Sequence, residues 1–311
     1  MGNQLSPLLR LAIPLVLVYI AFSVLGPIWG IVSMVLLIAL VVFFNRTIIY
    51  QNTANKKYLK GDFDGALNDL KRAVSLSPKL PGVRGTYAYL LLKLGYTQEA
   101  AVQIEEALNN ARTDTEKNQL TLTKSMVLWK QDKTDEAISS LEELIKDFEN
   151  TNVYATLGFL YIEKGDMEKA LEFNLKAVDF NDTNGIILDN LGTVYYNIRE
   201  YEKAREIYQK LMKLKPVFPE AFYNYARVLD KLGDLEKALY MTRHSLTLRF
   251  WNISTIKKEE VESFLEELEK RAQDISLDNS EQSEALKNDD TNYDQDNSEQ
   301  NSAQDKQEEK N

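Results

Sequence analysis

Few residues in this chain are equipped for chemistry, and those few are scattered. His244 is the only histidine, and cysteine is absent. That removes disulfides, thiolate metal sites and a cysteine nucleophile, and it leaves metal or triad chemistry with no cluster to build on. A lone histidine in an amphipathic helical stretch reads as packing. The carboxylate pairs Glu142-Glu143 and Glu259-Glu260 fall in charged helical stretches and read as solvated faces. There is no phosphate loop, no GxSxG and no HExxH. The expectation is a chain that is not an enzyme, with no catalytic residue, no cofactor and no metal.

What remains is the chemistry of recognition. Asn190 and Asn224 stand 34 residues apart, and an asparagine amide can both donate to and accept from a peptide backbone. Arg227 and Lys231 could meet one acidic group of a ligand, with Tyr223 nearby and Glu220 and Asp230 competing beside them. Tyr89, Leu92, Met126, Trp129, Phe159 and Ile162 form an apolar series in the middle of the chain. Together they would suit an apolar peptide or an amphipathic helix, unless packing between neighbouring elements consumes them.

These residues can act together only if regular elements bring them to one face. A repeating frame of about 34 residues supplies those elements. Set on alanine at position 20, it gives Ala66, Ala100, Ala137, Ala170, Ala204 and Ala238. Position 8, which was not chosen, reads Ala54, Ala88, Ser125, Gly158, Gly192 and Ala226. Small residues at both positions let two antiparallel helices approach closely. Position 15 carries Gly61, Gly95, Gly165 and Gly233, with Asp132 and Arg199 as exceptions. Glycine there ends the first helix in a left-handed conformation, and Pro78 and Pro216 at position 32 stop the second. GDMEKALEFNLKAV from Gly165 and GDLEKALYMTRHSL from Gly233 show the period most plainly.

The pattern resembles the tetratricopeptide repeat (TPR), a helix-turn-helix unit. The resemblance covers roughly residues 47–252, as repeats 47–80, 81–114, 118–151, 151–184, 185–218 and 219–252, the third being the weakest. It implies an all-α solenoid of about six repeats in which stacked neighbours share a continuous core. It also implies that positions 2, 5, 6, 9, 12 and 13 of each first helix line a concave binding face. Position 6 holds Asn52, Asn190 and Asn224, as in the asparagine ladders of some TPR proteins. The paired lysines of a chaperone-tail clamp are missing at positions 2, 5, 6 and 9 of the first three repeats, so a clamp of that type is not expected. Residues 255–275 carry Val261, Phe264, Leu265 and Leu268 on one helical face and read as a capping helix.

Two uncharged runs precede the repeats, 11–25 and 28–44, separated by Gly26-Pro27. A helix rises 1.5 Å per residue through roughly 30 Å of hydrocarbon, so the two together are too long for one span. They read as two short transmembrane helices in a hairpin following a short segment, 1–10, with the first repeat helix continuing from the second span. A hairpin confined to one leaflet and a cleaved signal peptide are the competing readings. Arg46, Lys56, Lys57 and Lys60 follow the second run, Arg10 precedes the first, and the turn has no basic residue. That pattern places both ends, and the solenoid, in the cytoplasm of a multi-pass cell-membrane protein.

The formal net charge is -10, and from Asp274 onward twelve acidic residues stand against three lysines. The acidity therefore belongs to the tail, 276–311, whose composition predicts disorder. No basic stripe suggests nucleic-acid binding. The sequence thus predicts a membrane-anchored, non-catalytic scaffold for an unidentified protein or peptide. The alternatives are a structural subunit of a membrane complex, in which Gly26, Gly30 and Ser33 would matter most, and an extracytoplasmic accessory protein of inverted topology.

Overall fold

The computed structural model describes residues 7–277; residues 1–6 and 278–311, nearly all of the acidic tail, lie outside the described residues. Every regular element among the described residues is an α-helix. The chain divides into two compact units at Phe148 and Glu149. The first holds α1 (Pro7–Leu25), α2 (Pro27–Leu59), α3 (Phe63–Leu76), α4 (Pro81–Lys93), α5 (Thr97–Asn110), α6 (Asp114–Lys130) and α7 (Thr134–Leu144). The second holds α8 (Thr151–Lys164), α9 (Met167–Phe180), α10 (Gly185–Asn197), α11 (Tyr201–Lys213), α12 (Pro219–Lys231), α13 (Leu235–Leu246) and α14 (258–277).

The helices pack as consecutive pairs, α2 with α3, α4 with α5, and so on to α12 with α13. Contact within each pair is close because the residues at the crossing are small. All six alanines of position 20 are 0% exposed. Opposite them, a side-chain carbon on Gly158 would lie 2.5 Å from the Asn174 amide, and one on Gly192 would lie 2.6 Å from the Tyr208 ring. A larger residue on one helix thus fills the space that a glycine leaves on the other, at the density expected of a protein interior.

The turn inside each pair is equally uniform. Gly61, Gly95, Asp132, Gly165, Arg199 and Gly233 all have positive φ, so the two departures from glycine still adopt the left-handed conformation. The next residue's N–H reaches back five positions in every repeat, as in Asp166 to the Tyr161 carbonyl (3.0 Å) and Glu200 to the Tyr195 carbonyl (2.8 Å). This is the Schellman closure. Where that next residue is aspartate, its carboxylate also caps the second helix: Asp62 accepts from Gly65 N, Asp166 from Lys169 N and Asp234 from Lys237 N. The Gly-Asp dipeptide therefore ends one helix and begins the next.

The weakness of the third repeat has a visible counterpart. α7 is only 11 residues long, and Leu144, at the position where other repeats bury a small or apolar residue, is half-buried. The two units part in the segment that follows. α14 begins three residues later than the sequence suggested, after a turn at 251–254, in which Trp251 N donates to Ser254 Oγ, and a bend at 255–256. Val261 and Leu268 of α14 are wholly buried, and Phe264 packs with them.

At the other end, α2 runs 33 residues without a break, about 50 Å at 1.5 Å per residue. Its first part is apolar and exposed, including Leu36, Val41 and Phe44, and its last part is the first helix of the first pair. Gly26, at φ 92, separates it from α1 and brings Phe22 onto Gly30. By length and composition α2 is the one helix among the described residues able to cross a membrane; the shorter apolar stretch of α1 is Ala12–Leu25. Asp69 ties α2 to α3: its buried carboxylate pairs with Lys57 Nζ at 2.8 Å and accepts from Thr53 Oγ1 at 2.8 Å.

The turn geometry sets an expectation with opposite signs at equivalent positions. Arg199→Gly relieves a left-handed non-glycine residue and should raise the melting temperature by about 2 °C, whereas Gly165→Ala should lower it by about 3 °C. Thermal denaturation of both variants checks this; equal shifts would show that the turn conformation does not limit stability.

Candidate partner-binding groove

The first helices α2, α4 and α6 contribute the candidate face of the first unit. Gln51, Asn55 and Tyr58 of α2 and Thr86, Tyr89 and Lys93 of α4 surround a hollow of about 220 Å³. Its floor is apolar, made by Ala54, Ala66, Leu70 and Leu90. Tyr89 is 42% exposed, and burial of the rest of its ring raises its phenol pKa. Lys93 donates to the Tyr58 hydroxyl, and its ammonium lies 5.1 Å from the Tyr58 ring centre and 5.9 Å from that of Tyr89. The hollow thus offers two phenols, an ammonium, two amides and a hydroxyl over an apolar base. Farther along, Met126 is half-buried, while Trp129 is buried beneath the Lys130 ammonium, 3.9 Å from its ring centre.

In the second unit the structure redistributes the expected residues. Phe159 and Ile162 are half-buried on α8. Asn190 and Asn224 are each 7% exposed. Asn190 Nδ2 donates to the Ala155 carbonyl at 3.1 Å; Asn224 Nδ2 donates to Asp189 Oδ1 and Thr193 Oγ1, both at 3.3 Å. Each amide thus reaches position 5 of the preceding repeat, and the ladder they form binds repeat to repeat, where the sequence placed it on the open face. Asn52, by contrast, is exposed.

Tyr223 is also closed off. Its hydroxyl donates to Glu260 Oε1 of α14 at 2.8 Å, and its ring meets Phe264 edge-on. Arg271 of α14 pairs with Asp230 at 2.6 Å, so the cap occupies the face of α12 that a further repeat would use. Arg227 remains half-buried, its guanidinium 4.3 Å from the Tyr196 ring centre. His244 packs 4.3 Å from the Phe222 ring centre, as a structural residue would.

Sequence reasoning passed over Tyr58 and Lys93. It read positions 2, 5, 6 and 9 of the first repeats residue by residue and found no base there; a similar reading of positions 12 and 13 would have found both. No group of three histidine, cysteine or acidic residues suited to a metal occurs among the described residues.

The Asn224 network encloses a carboxyl group. Burial, reinforced by Glu220, pushes Asp189 up to about 7 from 3.8, against the hydrogen bonds from Asn224 and Tyr208. The folded chain therefore keeps a proton that the unfolded chain releases at lower pH. This contribution to stability is present below about 4 and is lost as pH rises toward about 7. Asp189→Asn retains an acceptor for both donors without the charge. It should raise the melting temperature by several degrees at pH 8 and change it little at pH 4, which thermal melts across that range would test.

Sequence models of the tetratricopeptide repeat match residues 58–120, 151–184, 187–218 and 207–240. BBSome complex member BBS4 of Bos taurus is 33% identical over 86 residues, 28% of this chain and 17% of that protein. TPR repeat-containing protein MJ1428 of Methanocaldococcus jannaschii is 24% identical over 235 residues, 73% of this chain and 35% of that protein. This chain thus spans well under half the length of either relative. The solved structure of PilW, a widely conserved type IV pilus biogenesis factor, superposes with a TM-score of 0.54 at 12% identity, over 70% of this chain and 98% of that chain; it speaks to the fold alone. The repeated helix pairs, their left-handed turns and these matches agree: the chain is a tetratricopeptide repeat protein, built from units that serve as protein-interaction scaffolds.

Proposed function

We propose that this protein is a membrane-anchored scaffold that holds a protein or peptide partner along the open face of its repeats without catalysing a reaction. The junction in α2 carries the reading: one unbroken helix contains an apolar stretch exposed on its sides and then one wall of the hollow around Tyr89. Exposed apolar surface of that length is costly in water and favourable in hydrocarbon. With α1 turned back at Gly26, the anchor is a hairpin in a multi-pass cell-membrane protein. The bases Arg46, Lys56, Lys57 and Lys60 beyond the span favour a cytoplasmic solenoid. Backbone pairing at Gln51, Asn55 and Thr86, with an apolar anchor on the floor, is the recognition chemistry available.

The second reading, a subunit held in a membrane complex by its hairpin, has less support. The small residue Gly30 would serve a neighbouring span, but it is buried against Phe22 of the same chain.

The test uses a photo-crosslinking residue at Tyr89 and another at Val102, which is 55% exposed on α5. A discrete partner should couple to the first and not the second, and Tyr89→Ala with Lys93→Ala should lower its recovery by about tenfold at unchanged melting temperature. Equal labelling from both sites would overturn the groove. The membrane pellet should retain the protein through alkaline extraction, and a C-terminal tag should be cut by protease only in inverted vesicles. Cutting on intact cells would place the solenoid outside.

A further inference from the structure

We infer that the loop edge of the first repeats is a second, peripheral membrane contact that docks on anionic lipid headgroups. The inference rests on the anchoring proposed above. If α2 enters hydrocarbon near Ile28, roughly 30 Å of rise ends about twenty residues later, near Arg46 and Thr47. Arg46 is the first charged residue after Arg10, and its guanidinium lies back over the Phe43 ring at 4.3 Å, as a base at the headgroup level does.

Thr47 is where the loop between α3 and α4 meets the anchor helix. The Thr47 and Ser77 hydroxyls are 2.8 Å apart. This bond holds loop 77–80 level with the end of the span, and Leu80 at its tip is 45% exposed. Lys79, Leu80, Arg112 and Glu116 line one shallow depression, so the start of α6 shares the same edge. Ile48 and Ile49, 54% and 40% exposed, continue the apolar surface of α2 past Arg46 at the same height.

The charges on this edge favour an acidic surface. Arg46, Lys79 and Arg112 are joined by Arg72, whose guanidinium lies 5.9 Å from the Tyr50 ring centre, one turn beyond Thr47. Arg84 is neutralised by Glu106. Against them stand Asp114 and Glu116 at the start of α6, and Glu116 accepts from the Arg112 and Thr113 backbone N–H groups in the α6 capping box. An apolar tip flanked by bases at the level of the headgroups is the arrangement that binds an anionic bilayer surface.

The absence of cysteine makes the test clean. Single cysteines replacing Leu80, Leu36 in mid-span and Val102 on α5 are labelled with an environment-sensitive fluorophore. The full chain is then reconstituted in phosphatidylcholine vesicles with or without phosphatidylglycerol. The Leu80 probe should shift to the blue and be quenched by spin-labelled lipid only when phosphatidylglycerol is present. The Leu36 probe should do so in both, and the Val102 probe in neither. Adding Lys79→Glu and Arg112→Glu should reduce docking of the Leu80 probe by about 25-fold or more. A Leu80 probe that stays in water while Leu36 is in lipid overturns this inference and leaves the anchor standing. A Leu36 probe in water overturns the anchor itself. Shielding of Leu80 that ignores lipid charge, or that appears only with added soluble protein, overturns the assignment to anionic lipid.

Discussion

The distance at which paired helices meet is the constraint on which the rest of this structure depends. It is set by side chains that are nearly absent. The alanines of position 20 are wholly buried, and where the facing residue is glycine a bulky partner fills the gap, Asn174 at Gly158 and Tyr208 at Gly192. Close approach fixes the relative rotation of the two helices and so decides which residues of the first helix look outward. It also explains why the turn must reverse within a few residues and why it uses the left-handed conformation even where the sequence offers arginine or aspartate.

The helix pairs were legible in the sequence because their determinants are local. Small residues, Gly-Asp turns and helical spacing recur at one interval, and each has a steric or hydrogen-bonding reason within a single repeat. The face on which a polar side chain ends up was less legible, because it depends on the next repeat. Asn190 and Asn224 sit at positions that point toward the open side, yet the preceding helix is near enough to accept their amide hydrogens. Tyr223 is similar: its surroundings come from α14, some forty residues onward, and no property of α12 announces Glu260 as its partner. Lys93 was overlooked for a different reason. It reaches the hollow from position 13, in the last turn of its helix, beyond positions 2, 5, 6 and 9 at which a base would serve a chaperone-tail clamp.

The two units carry different kinds of polar interior. The first holds a buried carboxylate, Asp69, satisfied by Lys57 and Thr53 across a single helix pair. The second holds Asp189 between the Tyr208 phenol and the Asn224 amide, with no cation bonded to it among the described residues. A buried carboxylate beside an ammonium stays ionised, whereas one among neutral donors holds its proton to higher pH. The same residue type therefore acts as an ionic tie in one unit and, below a pH of about 7, as a neutral hydrogen-bonding group in the other.

The continuity of α2 has a mechanical meaning. Between Ile31 and Leu59 it contains neither glycine nor proline, so it has no built hinge at the place where the apolar stretch gives way to the repeat. Asp69 fastens its far end to α3. With its apolar stretch in a bilayer, as proposed above, α2 would be a stiff rod embedded at one end and clamped at the other, and would act as a lever. Any change in the tilt of the embedded part, such as that imposed by a thinner or thicker bilayer, would rotate the first helix pair by the same angle. The orientation of the Tyr89 hollow would then be coupled to the thickness of the surrounding membrane, with no moving joint in between.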